Sequence, residues 1–210
     1  IMNNHAASMT HIAIIGCGTI GVSWAAYFLS RGLEVRAFDP DDSARATFAD
    51  LVAADMVTLG ASPCHPKVCH SLAEAVELAD LVVENAPESI ELKRGLLADM
   101  QRLAPEAALI VSSTSSLQHS DIALDAPEPS RIAIAHPFNP PHLVPLVELY
   151  GTDTEVVDRL AAFYRSIGKQ PVVMRKEMVG HIANRLSSAL WREALYLLQE
   201  GVASVEDIDR

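Results

Sequence analysis

Positive charge is scarce in this 210-residue chain. Sixteen Lys and Arg stand against 27 Asp and Glu, for a formal net charge of −11. Nucleic acid needs a basic footprint, so that partner is excluded, and an anionic membrane surface with it. Cysteine is scarce too. Cys17, Cys64 and Cys69 are too few for a disulfide scaffold and point to a reduced, cytoplasmic setting. No apolar run reaches the roughly 18–20 residues of a spanning helix. The opening "IMNNHAASM" lacks a charged segment followed by an apolar one, so it does not read as a signal peptide. Residues 1–8 read as a cloning remnant, with Met9 as the native start. Internal repeats and low-complexity tracts are absent.

Half of the residues are apolar and a fifth are charged. That suits a globular protein with one core, or one domain and part of a second. Short β-rich runs alternate with helical stretches. Strands are expected at 10–15, 33–38, 81–84, 109–112, 132–135, 146–149 and 171–174. Helices are expected at 20–31, 43–59, 71–78, 89–103 and 154–167. This alternation predicts an α/β fold, a doubly wound and mainly parallel sheet with helices on both faces. After Met174 the character changes. Residues 177–200 read as one long helix with Ile182, Leu186, Leu190, Trp191 and Leu195 on an apolar stripe, and Ser204 opens another helix. The chain is therefore expected to divide into a nucleotide-binding domain, 9–176, and the beginning of an all-α domain, 177–210. The unpartnered stripe predicts a homodimer or a longer native chain.

"IIGCGTIG" carries Gly16, Gly18 and Gly21 as G-x-G-x-x-G, directly after a strand and before a helix. The first glycine permits a tight turn, the second lets a pyrophosphate approach the backbone, and the third lets helix and sheet pack closely. The helix N-terminus then offers unpaired N–H groups to the phosphates. Asp39 closes the second strand, where a carboxylate binds the ribose hydroxyls of NAD and repels the extra phosphate of NADP. Arg45 lies six residues further on. NAD is the expected cofactor. The competing reading is the glycine-rich turn of a methyltransferase, which leaves the His136 region unexplained.

"HPFNPPHLVPLVE" (136–148) surrounds a histidine with four prolines and ends with Glu148 inside an apolar run. Oxidising an alcohol requires a base for the hydroxyl proton, and imidazole changes charge close to neutral pH. A carboxylate on the other ring nitrogen fixes the tautomer and stabilises the imidazolium. His136 and Glu148, at the ends of neighbouring strands, can form such a pair, with the prolines stiffening the loop between them. "CHPKVCH" (64–70) lacks metal-ligand spacing and reads as a loop leading into a strand. Cys17, Trp24 and Trp191 read as packing residues.

Taken in order, "GCGTIG", "VVENAPE", "SSTSSL", "HPFNP", "PLVEL" and "KEMVGHIANRL" resemble the 3-hydroxyacyl-CoA dehydrogenase family from about Thr10 to Arg210. That family includes the gulonate dehydrogenase (lambda-crystallin) and carnitine dehydrogenase branch. The resemblance implies that His136 is the catalytic histidine, Glu148 its partner, Ser115 a serine near the substrate hydroxyl and Asn184 the active-site asparagine. It implies substrate contacts at Ser115, Asn139 and Asn184. For NAD it implies Gly16, Gly18, Thr19, Ile20, Gly21, Asp39, Ala86 and Ser115, with Glu88 and Lys93 near the nicotinamide ribose. Two departures stand out. Residues 43–69 are short and poor in lysine where acyl-CoA enzymes hold the CoA tail, and "NPPHLVPLVEL" is closer to the gulonate and carnitine branch. The leading reading is NAD-dependent interconversion of a 3-hydroxyacyl-CoA and its 3-ketoacyl-CoA. The alternatives are a dehydrogenase of a small free 3-hydroxy acid such as L-gulonate or L-carnitine, and a non-catalytic crystallin-like protein.

Overall fold

The structure, a computed structural model, describes residues 9–210. The proposed remnant at 1–8 lies outside the described residues. The chain runs β1 (His11–Ile15), α1 (Thr19–Ser30), β2 (Glu34–Phe38), α2 (Asp42–Thr58), β3 (Lys67–Val68), α3 (Leu72–Val76), β4 (Leu81–Glu84) and α4 (Ile90–Leu103). It continues through β5 (Leu109–Ser112), α5 (His119–Ile122), a 3-10 turn (Pro129–Arg131), β6 (Ile132–Pro137), β7 (Leu146–Gly151), α6 (Thr154–Ser166), β8 (Gln170–Val173), α7 (Ala183–Gln199) and α8 (Val205–Asp209). Among the described residues one eight-stranded sheet has the order β3-β2-β1-β4-β5-β6-β7-β8, and only β6 and β7 pair antiparallel. This is the doubly wound architecture expected from the alternation.

Strand periodicity explains the two cores. Along β1, Ile12 and Ile14 enter the core shared with α1, α2 and α6, while Ala13 and Ile15 enter the core under α3, α4 and α5. A sheet buried on both faces needs such near-continuous apolar strands. α1 is buried from Gly21 to Phe28, and Trp24 stacks on Phe28 with centroids 5.1 Å apart. Its small residues Gly21, Ser23, Ala25 and Ala26 let it lie close to the sheet. The chain leaves β1 in one direction for β2 and β3, then returns to β4 on the other side. That reversal opens a crevice at the carboxyl ends of β1 and β4, where ligands bind in open α/β sheets.

Three expectations need correction. The long helix at 177–200 begins only at Ala183, because Gly180 and His181 both adopt left-handed backbone (φ +75° and +52°) and break it. Trp191 is not core. It is 68% exposed on an apolar stripe with Leu186, Leu190 and Leu195, which the short α8 borders through Val205 and Ile208 but does not cover. The short α5 and the 3-10 turn were unforeseen, being too brief for a periodicity signal. Trp24 does lie in the core, and β3 follows the Cys64 loop as read.

Lys169 shows how the loop between His136 and Glu148 is anchored from below. Its buried ammonium donates to the carbonyls of Pro141 and Val144 and lies 3.7 Å from the Tyr27 ring centroid. Burial, helped by the charge of Arg31, pulls its pKa from 10.5 down to about 8. The unfolded chain then holds more protons across that window, so this group's contribution to stability rises as pH climbs from about 8 towards 10.5. Denaturant melts of wild type and Lys169→Met are expected to diverge in slope between pH 8 and 9. The wild-type gain is bounded at about 3 kcal/mol over the full window. The carbonyls left unpaired by the substitution add a pH-independent offset, which the slope ignores. Parallel curves would refute the buried cation.

Candidate active site

The glycine turn is built as its spacing requires. Gly16 has φ +103°, and a Cβ there would meet the Asn85 carbonyl oxygen at 2.7 Å. A Cβ on Gly21 would lie 1.9 Å from the Gly16 carbonyl oxygen, so only glycine allows α1 this close. A Cβ on Gly18 would meet nothing within 4 Å. Gly18 is also the N-cap of α1, it supplies no side-chain cap, and the first turn carries no acidic residue. Thr19 and Ile20 follow at this open end. Uncapped N–H groups beside open space fit an anionic phosphate. Asp39 accepts the Cys17 N–H at 2.8 Å and the Asp41 N–H at 2.9 Å, which holds its carboxylate against the turn. Arg45 bonds the Asp39 carbonyl and Asp42, leaving the Asp39 carboxylate as the charge presented there. These residues fit NAD. Cys17 is buried in the turn, and burial, with Asp39 adding, pushes its thiol up to about 12.

His136 and Glu148 face each other across the β6–β7 pair in direct register. The strand continues through His136 instead of ending before it. His136 Nδ1 lies 2.7 Å from Glu148 Oε2, with the residues only 5% and 1% exposed. An ionised carboxylate only accepts, so Nδ1 carries a proton, and in the neutral tautomer this selects, Nε2 is the basic nitrogen. Glu148 Oε1 accepts the Ile182 and Ala183 N–H groups at 2.8 and 2.9 Å. Burial raises the Glu148 pKa, but the His136 hydrogen bond and these two amides outweigh it and hold it below the usual carboxylate value. The carboxylate is thus fixed at both oxygens.

A cleft of about 480 Å³ connects this pair to the glycine turn. It is lined by Ile20, Asn85, Ala86, Glu88, Lys93, Ser113, Ser115, His136, Pro137, Phe138, Asn139 and Asn184. Eight of the residues singled out in the sequence line it (Ile20, Ala86, Glu88, Lys93, Ser115, His136, Asn139 and Asn184), while Gly16, Gly18, Thr19, Gly21, Asp39 and Glu148 do not, and some of the eight are engaged with one another. Glu88 Oε1 accepts from the Thr114 hydroxyl, from the Ser115 and Ser116 N–H groups and from their hydroxyls. It therefore organises the serine loop that carries Ser115. Burial raises the Glu88 pKa, but the Thr114 bond, the Lys93 charge and the Ser115 bonds bring it below the usual value. Asn184 Nδ2 donates to the Ser115 carbonyl at 2.9 Å, which ties α7 to that loop. Lys93 is 1% exposed, and its ammonium donates to both oxygens of Glu84 and to the Ala86 carbonyl.

Sequence reading missed Glu84, His181 and Thr114. The signal for Glu84 was there: a carboxylate ending the otherwise apolar strand "LVVE", nine residues before Lys93. A buried cation so placed needs a counter-charge. Among the described residues no cluster of three potential metal ligands forms, and no helix is long and apolar enough to cross a membrane.

The sequence model for the 3-hydroxyacyl-CoA dehydrogenase NAD binding domain matches residues 11–178, and that for the family's C-terminal domain matches 180–210. The chain belongs to the 3-hydroxyacyl-CoA dehydrogenase family. It carries that family's NAD-binding domain. It is 43% identical over 208 residues to L-carnitine dehydrogenase of Nocardiopsis dassonvillei, covering 94% of this chain and 63% of that protein. It is 44% identical to L-carnitine dehydrogenase of Streptomyces griseus, covering 94% and 62%. The chain thus spans less than two thirds of the length of these relatives. The crystal structure of (S)-3-hydroxybutyryl-CoA dehydrogenase from Ralstonia eutropha superposes with a TM-score of 0.86 at 28% identity, covering 95% of this chain and 75% of that one.

Proposed function

We propose that this chain is the NAD-binding part of a dehydrogenase that oxidises the 3-hydroxyl of a small free hydroxy acid, with L-carnitine as the leading candidate. The buried His136–Glu148 pair on a cleft beside the glycine turn carries this reading. NAD bound on the glycine turn supplies the hydride acceptor. The first-turn amides of α1 hold its pyrophosphate and Asp39 its ribose. His136 takes the hydroxyl proton on Nε2, and Glu148 stabilises the imidazolium that forms. Ser115, Asn139 and Asn184 bind the substrate, and Glu88 acts by holding the Ser115 loop. Lys93 acts from beneath the cofactor cleft through its pair with Glu84.

The reading moves from the thioester to the free acid for two reasons. The relatives above are named L-carnitine dehydrogenase. The only Lys or Arg lining the cleft among the described residues is Lys93, already bonded to Glu84, so no free cation is offered to the phosphates of CoA. The Phe138 ring suits a quaternary ammonium instead. Turnover of L-carnitine, L-gulonate and a 3-hydroxyacyl-CoA with NAD tests this. L-carnitine is expected to exceed the thioester in kcat/KM by at least about tenfold. The reverse order restores the acyl-CoA reading, and no turnover on any substrate favours a crystallin-like protein. The same reading assigns 9–176 to the nucleotide-binding domain and 177–210 to the start of a helical domain. It takes the exposed stripe of α7 as a homodimer face and sets the protein in the cytoplasm.

A further inference from the structure

We infer that His181 is a positioning residue for the His136–Glu148 pair, acting through both its backbone and its ring. This rests on the dehydrogenase reading above. Among the described residues His181 is the only non-glycine residue with positive φ, at +52°. A side chain with a Cβ disfavours that region, and Gly or Asn would occupy it more easily. The conformation has a consequence. Following Gly180 at φ +75°, it turns the chain so that the next two N–H groups, of Ile182 and Ala183, both reach Glu148 Oε1. The carboxylate that orients His136 is thus held by the turn His181 makes.

The ring has a second use. It is 1% exposed, with its centroid 5.0 Å from that of His136 at an interplanar angle of 46°. Its Nε2 lies 3.0 Å from the Thr114 carbonyl oxygen. A carbonyl only accepts, so Nε2 bears the proton, and Nδ1 is buried without a partner among the described residues. Burial lowers the pKa of this imidazole against the opposing pull of the Thr114 carbonyl, Glu148 and Glu88. The ring packs beside that of His136, fills the wall behind the base, and pins the Thr114–Ser115 loop to the start of α7. A residue with strained backbone and an orphaned buried nitrogen is poorly suited to a purely stabilising part.

Two variants test this in the full chain. His181→Phe keeps a ring but loses the Nε2 donor, and His181→Gln keeps an N–H near the place of Nε2. His181→Phe is expected to lower kcat on the order of tenfold to a hundredfold, with the KM for NAD and the thermal midpoint near wild type. His181→Gln should recover a large part of the loss. Proton NMR should show the downfield His136 Nδ1–H signal shifted in His181→Phe and restored in His181→Gln. An unchanged signal overturns the proposal, and so does a kcat loss that tracks the thermal midpoint. If His181→Phe does not fold, the Nδ1–H signal of His181→Gln decides, since a positioning residue keeps that signal near the wild-type shift and loss of it refutes the rescue. If the wild type turns over no hydroxy acid, the dehydrogenase reading fails, yet the NMR arm still decides whether His181 positions the pair.

Discussion

His136→Asn is expected to reduce kcat by about 10²–10⁴-fold while leaving NAD binding intact. The residue sits in β6 opposite Glu148, and its Nε2 is the ring nitrogen left free of Glu148. Asparagine can still bond Glu148 but offers no basic nitrogen. Cofactor binding should survive because the glycine turn and Asp39 lie on other strands. Rapid-mixing turnover and nucleotide fluorescence titration measure the two effects separately. A companion variant probes the tautomer. In Glu148→Gln the amide oxygen can keep the Ile182 and Ala183 donors, which leaves the amide NH₂ facing His136 Nδ1. That selects the tautomer with the proton on Nε2, which cannot act as a base, so the loss should approach that of His136→Asn. Near-normal turnover in either variant contradicts the assigned chemistry.

Gly21→Ala should be the most damaging single-atom addition in the cofactor region. Its Cβ would lie 1.9 Å from the Gly16 carbonyl oxygen and 3.2 Å from Ile14 Cγ2. The first contact is backbone, so no side chain can rotate away. α1 must move off the sheet, disturbing a core that includes Trp24 and Phe28. The expected loss is about 3 kcal/mol of stability or more, at the upper end for overpacking. NAD affinity should fall on the order of a hundredfold, about 2.7 kcal/mol. Gly18→Ala is the control, because its Cβ meets no protein atom within 4 Å. Stability should change by less than about 0.5 kcal/mol, while NAD binding weakens because the methyl intrudes where the pyrophosphate approaches. Thermal melts and NAD titrations of both variants separate packing from recognition. Equal melting losses in the two would refute the distinction.

These expectations draw on different depths of the sequence. The β1–turn–α1 unit was legible because its glycine spacing and its change from strand to helix period fall within about twenty residues of sequence, although Asp39 and Asn85 close on the turn from further along the chain. The His136–Glu148 pair was legible from its residue types and short separation, although its antiparallel register required the sheet. Glu88 and Ser115 could be named as site residues but not connected, since their bond joins the turn after β4 to the turn after β5. The break at Gly180 and His181 was hidden because the flanking apolar stripe continues in helical phase through residues that are not helical.

The sequence by itself determined the doubly wound fold, the glycine turn with its acidic partner, and the histidine and glutamate proposed to do the chemistry. Each depends on residue type and short spacing, which steric and hydrophobic rules translate almost locally. Only the tertiary structure decided what holds those groups in place. Glu148 takes two of its donors from residues 34 and 35 positions away, and His181 finds its acceptor 67 positions back. Such contacts exist only once the sheet has brought distant strand ends together, because a buried polar atom pairs with whichever partner the finished packing supplies.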